Sequence, residues 1–121
     1  FFVHLNKKQN SFDAVTSYND IKTEIELQDC IESLNQITNK FIQADTLLQW
    51  EAAMNEHEYL ISAILEQETI KEKLFPMYTN SIKSLGAWGG DFIMVTGDLN
   101  DMNYFIYKGY NTIIQWKDMV L

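Results

Sequence analysis

The chain has 121 residues, of which 46% are hydrophobic and 13% aromatic, enough to fill one core, so a single domain over residues 1–121 is expected. Its net charge is −8 and all nine basic residues are lysines, so no arginine offers phosphate or guanine a bidentate fork, and the overall field repels polyanions. Nucleic acid is therefore not an expected partner, and no apolar run approaches the roughly 20 residues of a membrane span. Cys30 stands alone, which leaves no disulfide framework or cysteine metal cluster and fits a reducing, cytoplasmic setting.

In chain order, residues 1–6 read as a buried strand and residues 7–10 as a polar loop. Ser11 is placed to cap a helix carrying Ala14, Val15, Tyr18 and Ile21. From Leu27 the apolar positions are Cys30, Ile31, Leu34, Ile37, Phe41 and Ile42, whose steps of three and four predict a long amphipathic helix. Asp45 or Thr46 can cap a third helix with the stripe Leu47, Trp50, Met54, His57, Ile61 and Ile64 or Leu65. The helical stripes are expected to form one core against one face of the sheet, with Leu34, Ile37, Phe41, Trp50, Met54 and Ile61 largely buried. Thr69 starts a fourth, over residues 70–82, kinked or split by Pro76.

Beyond that point the pattern changes. Residues 85–88 and 92–96 read as strands around a cluster of glycines, and four of the chain's five glycines lie between Gly86 and Gly97. Asp98 is an N-cap candidate for a helix over residues 99–108, and Gly109 a natural stop. Residues 112–116 alternate weakly as a last strand. Strand, helices, strand, strand, helix, strand is the order of a ferredoxin-like α+β domain, its first crossover expanded into several helices on one face of an antiparallel sheet.

The glycine cluster has two readings. Gly89-Gly90 between two strands suits a tight hairpin turn, whose residues must tolerate positive φ. It also suits a loop that a ligand approaches closely. Lys83, Gly86, Ala87, Gly89, Gly90 and Asp91 match a motif of the GHMP small-molecule kinases, so this stretch resembles their third motif, most closely in its phosphomevalonate kinase form. Trp88 stands where that motif has its middle glycine, and Leu85 where it usually has serine or threonine. The opening Phe2-Val3-His4-Leu5-Asn6-Lys7-Lys8-Gln9-Asn10-Ser11 resembles the strand and polar loop that begin the C-terminal domain of these kinases. Lys108-Gly109-Tyr110-Asn111-Thr112-Ile113-Ile114 resembles their final helix-to-strand turn.

The resemblance implies the C-terminal, substrate-cleft domain of an ATP-dependent kinase for mevalonate or a phosphorylated derivative. Lys83, Gly86, Ala87, Trp88, Gly89, Gly90 and Asp91 would form its substrate or phosphate loop, and Lys8, Asn10 and Ser11 a second substrate-facing loop. ATP and Mg²⁺ would be held by an N-terminal GHMP domain of the same polypeptide, since no glycine precedes Gly86 and no phosphate-cradling motif occurs here. The chain opens directly in an apolar strand without an initiator Met, as expected of a piece of a longer enzyme that is inactive by itself. The alternative from another class is a non-enzymatic ferredoxin-like ligand-binding or interaction module, because such sheets host many functions.

The remaining chemical groups have plain readings beside functional ones. Lys83 is either an anion contact or a cation complementing a helix C-terminus. Asp91 either orients a substrate hydroxyl or is an ordinary turn acid. His57 on the third helical stripe and His4 in the first strand read as structural, with no partner at metal-ligand spacing. Glu51, Glu56, Glu58, Glu66, Glu68 and Glu72 read mostly as a solvated face.

Overall fold

The computed structural model describes residues 1–6, 24–85 and 91–119. The expected helix after Ser11, the polar loop with Lys8, Asn10 and Ser11, and the motif residues Gly86, Ala87, Trp88, Gly89 and Gly90 lie outside the described residues. Along the chain, the elements are β1 (Phe2–His4), α1 (Glu24–Gln43), α2 (Leu47–Leu65), α3 (Ile70–Leu74), β2 (Ile82–Ser84), β3 (Phe92–Val95), α4 (Met102–Tyr107), β4 (Ile113–Ile114) and α5 (Trp116–Met119). Among the described residues this is an α+β chain of five helices and a four-stranded antiparallel sheet. It divides into two compact units, one of Phe1–Ser11 with Ile70–Leu121, the other of Phe12–Thr69.

In the second unit α1 and α2 form a helical hairpin. Thr46 caps α2: its Oγ1 accepts from Gln49 N at 3.1 Å, and Gln49 Oε1 accepts in return from Thr46 N at 3.3 Å. This reciprocal capping box satisfies backbone donors that the first turn of the helix cannot. The Phe41 and Trp50 rings meet edge to face at 4.8 Å across the connection. Lys40 Nζ reaches both carboxylate oxygens of Glu56, at 2.9 and 2.7 Å. Of the six expected core residues, Ile37 and Met54 are fully buried, and Leu34, Phe41, Trp50 and Ile61 are half-buried. Leu47, expected on the same stripe, is exposed instead, because it opens the first turn of α2 beside the cap.

The first unit is built on the sheet, in the order β2–β3–β1–β4 with every neighbouring pair antiparallel. Val3 pairs with Ile93 and Ile82 with Val95, which puts these four on one face. There they join Leu5, Ile70, Phe75, Tyr78 and Phe105 in the core. Phe75 and Phe105 are wholly buried, their rings 4.9 Å apart edge to face. Full burial of each such ring contributes about 1.5–3 kcal/mol. The opposite face carries the row Lys83, Met94, Phe2 and Ile114, with Phe2 stacked on Trp116 at 5.7 Å.

Several expected elements have different bounds. The helix predicted over residues 70–82 stops at Leu74, and the chain turns through Pro76 and re-emerges as β2. Proline has no N–H to donate and disfavours helical backbone in the residue before it, so Pro76 ends this helix rather than kinking it. A strand instead occupies Ile82–Ser84, inside the span expected to be helical; of the strand expected at 85–88 only Leu85 is among the described residues, and it follows the end of β2. The last strand is only Ile113–Ile114, because Trp116 already begins α5.

The helix expected from Leu99 begins at Met102, and Asp98 and Asp101 explain the shift. Asp98 Oδ1 accepts from Asn100 N at 2.9 Å and Asp101 N at 3.1 Å, while Asp101 Oδ2 accepts from Asp98 N at 2.9 Å. Asp98 thus caps a turn that feeds the helix rather than the helix itself. Gly109 ends α4 as expected, with φ +93° and its N–H donating to Ile106 O at 3.0 Å.

Candidate functional site

Lys83 and Asp91 bracket the glycine motif, and the strands around them fix its two ends. Ser84 pairs with Ile93, and Leu85 N donates to Phe92 O at 3.2 Å, so the two arms are held side by side up to the motif. Lys83 was expected at a helix-to-strand junction. It lies instead in the middle of β2, opposite Met94, where its half-buried ammonium donates to the Ser84 carbonyl at 3.0 Å. The helix-dipole reading of Lys83 is therefore removed: the nearest preceding helix ends at Leu74. Asp91 has φ +57°, a left-handed backbone that aspartate tolerates better than most residues. Its carbonyl accepts from Leu5 N at 2.7 Å, which ties the motif's last residue to the exit of β1.

The same end of the sheet gathers two further segments. Because β1 is antiparallel to both neighbours, its exit at Leu5 and Asn6 lies beside the entry of β3 and the entry of β4. His4 N donates to Thr112 O at 2.9 Å, and Asn6 Nδ2 donates to Gly109 O at 3.1 Å across a separation of 103 residues. Lys108, in the turn between α4 and β4, holds its ammonium 5.3 Å from the centre of the Tyr104 ring. The flanks of the glycine motif, the exit of the first strand and the final helix-to-strand turn therefore converge on one edge, although they come from opposite ends of the chain.

The two histidines have different surroundings. His4 Nδ1 accepts from Asn6 N at 3.1 Å, and its ring meets Phe92 edge to face at 4.9 Å. His57 Nδ1 is buried without a hydrogen bond; Glu58 Oε1, at 3.7 Å, is too distant to make one. Among the described residues, no three histidine, cysteine, aspartate or glutamate side chains are grouped so as to hold a metal ion. No helix of the described residues is long and apolar enough to cross a membrane.

Glu58 departs from the solvated face assigned to the glutamates, being only 4% exposed. The signal was available, since Glu58 lies four residues after Met54 and three before Ile61, on the apolar stripe itself. An open cleft of about 340 Å³ in the helical unit is lined in part by Lys40, Gln43, Gln49 and Glu56. It contains none of the motif residues, and its two charged groups already neutralise one another. Asn6 was missed for a different reason: its partner Gly109 has no sequence relationship to it, and only the antiparallel sheet brings them together. No family model, curated protein or solved structure matches the chain.

Proposed function

We propose that this chain is the C-terminal, substrate-cleft domain of an ATP-dependent GHMP-type kinase that phosphorylates mevalonate or a phosphorylated derivative. The observation that carries the reading is the convergence just described. The three segments that bear the resemblance are distant in sequence, yet their described residues meet at one end of the sheet through the Leu5–Asp91, His4–Thr112 and Asn6–Gly109 hydrogen bonds. The strand order β2–β3–β1–β4, with α1, α2 and α3 in the first crossover and α4 in the second, supports a ferredoxin-like sheet with an expanded first crossover.

In such a domain Lys83 and Asp91 contribute position and charge to the acceptor side of phosphoryl transfer. An N-terminal domain of the same polypeptide holds ATP and Mg²⁺. Phosphoryl transfer depends on positioning and electrostatic stabilisation, so a polar edge assembled from three segments is suited to the task.

The test is phosphate transfer by the whole polypeptide of the parent gene, supplied with MgATP and either mevalonate or its 5-phosphate and followed by phosphorus NMR. Transfer is expected, and Lys83→Ala or Asp91→Ala is expected to lower kcat or raise KM with little change in melting temperature. No transfer to either acceptor would refute the reading. The rival, a non-enzymatic ferredoxin-like binding module, is favoured by the Lys83 contact to the Ser84 carbonyl, which gives that ammonium a structural use. It predicts that Lys83→Ala lowers the melting temperature and leaves any activity of the parent unchanged.

A further inference from the structure

We propose that Asn6 is a positioning residue for the polar end of the sheet, clasping the exit of β1 to the turn before β4; its consequence for catalysis rests on the kinase reading above. Asn6 has φ +63°, a left-handed conformation in which asparagine is enriched among non-glycine residues. From there its backbone N–H donates to His4 Nδ1 and its side-chain Nδ2 donates to the Gly109 carbonyl, both at 3.1 Å. Gly109 is itself left-handed, with φ +93°. The bond therefore joins two turns of restricted backbone geometry, one at each end of the chain.

An exposed hydrogen bond of this kind contributes little to global stability, because water replaces it when it is lost. Its leverage is geometric. The clasp lies next to the His4–Thr112 and Leu5–Asp91 bonds, so it fixes the exit of β1 at Leu5 and Asn6 relative to Asp91 and to the turn at Lys108 and Gly109. A small hydroxylated or phosphorylated acceptor held by groups from all three segments would feel that placement mainly in binding.

Two variants of the whole polypeptide separate the roles of the side chain and the backbone. Asn6→Asp keeps the size and removes the donor; Asn6→Gly keeps the left-handed backbone and removes the side chain. Both are expected to raise KM for mevalonate or its 5-phosphate by about 2- to 12-fold, the worth of one hydrogen bond. Their kcat is expected to stay within about twofold and their melting temperatures unchanged. Hydrogen exchange at the His4 and Leu5 amides is expected to accelerate in Asn6→Asp.

An active wild type with KM unaltered in both variants overturns the inference and leaves the kinase reading standing. A fall of several degrees in melting temperature in both variants also overturns it, because Asn6 would then serve the fold. A wild type that transfers no phosphate overturns the kinase reading instead, and amide exchange then decides for Asn6. Faster exchange at His4 and Leu5 supports the clasp, and unchanged exchange removes it.

Discussion

The helical unit and the sheet unit close their interactions over different spans of chain. In the helical hairpin the cap joins Thr46 to Gln49, the ring pair joins Phe41 to Trp50, and the Lys40–Glu56 ion pair spans 16 residues. In the sheet unit Phe1 meets Phe105 at 5.8 Å, Leu5 bonds Asp91, and Asn6 bonds Gly109 across 103 residues. Loop-closure entropy makes distant contacts slower to form, so the sheet unit depends on a dense core to hold them. Both units expose large apolar side chains, Ile42 and Leu48 in the hairpin and Met77 and Tyr107 in the sheet unit, but the wholly buried aromatic rings among the described residues, Phe75 and Phe105, belong to the sheet unit. Local capping is enough to define a helix pair, but a polar edge assembled from three segments requires a close-packed core beneath it.

The strongest way to break this contrast is to empty the aromatic core. Phe105 is wholly buried and lies edge to face or tilted against Phe1, Phe75, Tyr78 and Tyr104. Phe105→Ala should cost about 3–5 kcal/mol in chemical denaturation. Amide exchange should quicken first in β1 and β3; if α2 opens before them, the two units are not distinguished by their cores in the way drawn above.

Two glycines sharpen the comparison at smaller scale. A Cβ on Gly97 would stand 2.5 Å from Tyr78 Oη and 2.6 Å from Asp101 Oδ2, and its φ is +153°. Tyr78 Oη also donates to Thr96 O at 2.6 Å, so it cannot retreat without losing a buried bond. Gly97→Ala should therefore cost about 1–3 kcal/mol from overpacking on top of the backbone term. A Cβ on Gly109 would meet nothing within 4 Å, so Gly109→Ala should show only the left-handed backbone penalty of about 1–2 kcal/mol. Thermal melts of the pair measure the difference, and equal losses would mean that the Gly97 site relaxes freely.

The smallest expected effect belongs to the hairpin. Thr46→Ala removes the acceptor for Gln49 N and should cost about 1 kcal/mol, seen as fraying at the start of α2. Amide exchange at Gln49 and Trp50 measures it. A loss as large as that of Phe105→Ala would show that the cap supports more than its own turn.

How much could be read in advance divides along the same line. The two long helices were legible because their stripes and the Thr46 cap are statements about residues three and four apart. Gly109 was legible as a stop because a left-handed terminus favours glycine. Pro76 marks a break in the segment from Ile70 to Ile82, expected as a kink or a split, but the outcome depended on where Ile82 is buried. Ile82 is 2% exposed opposite Val95, and that pairing claimed the segment as a strand and moved Lys83 into its middle. Asp98, expected as the N-cap of this helix, caps the preceding turn instead, and the helix begins at Met102 with Asp101 at its N-cap position.

The sequence by itself determined the α+β class of the chain: the long helices by periodicity, a strand by the apolar run Phe92–Val95, and an acidic composition without arginine. The tertiary structure alone decided which strands are neighbours and that Asn6, Asp91, Gly109 and Thr112 meet at one end of the sheet. The physical reason is that local preferences act through a few bonds of chain, whereas strand pairing is selected by the burial of Val3, Ile93, Val95 and Phe105 together, a condition that no short window of sequence contains.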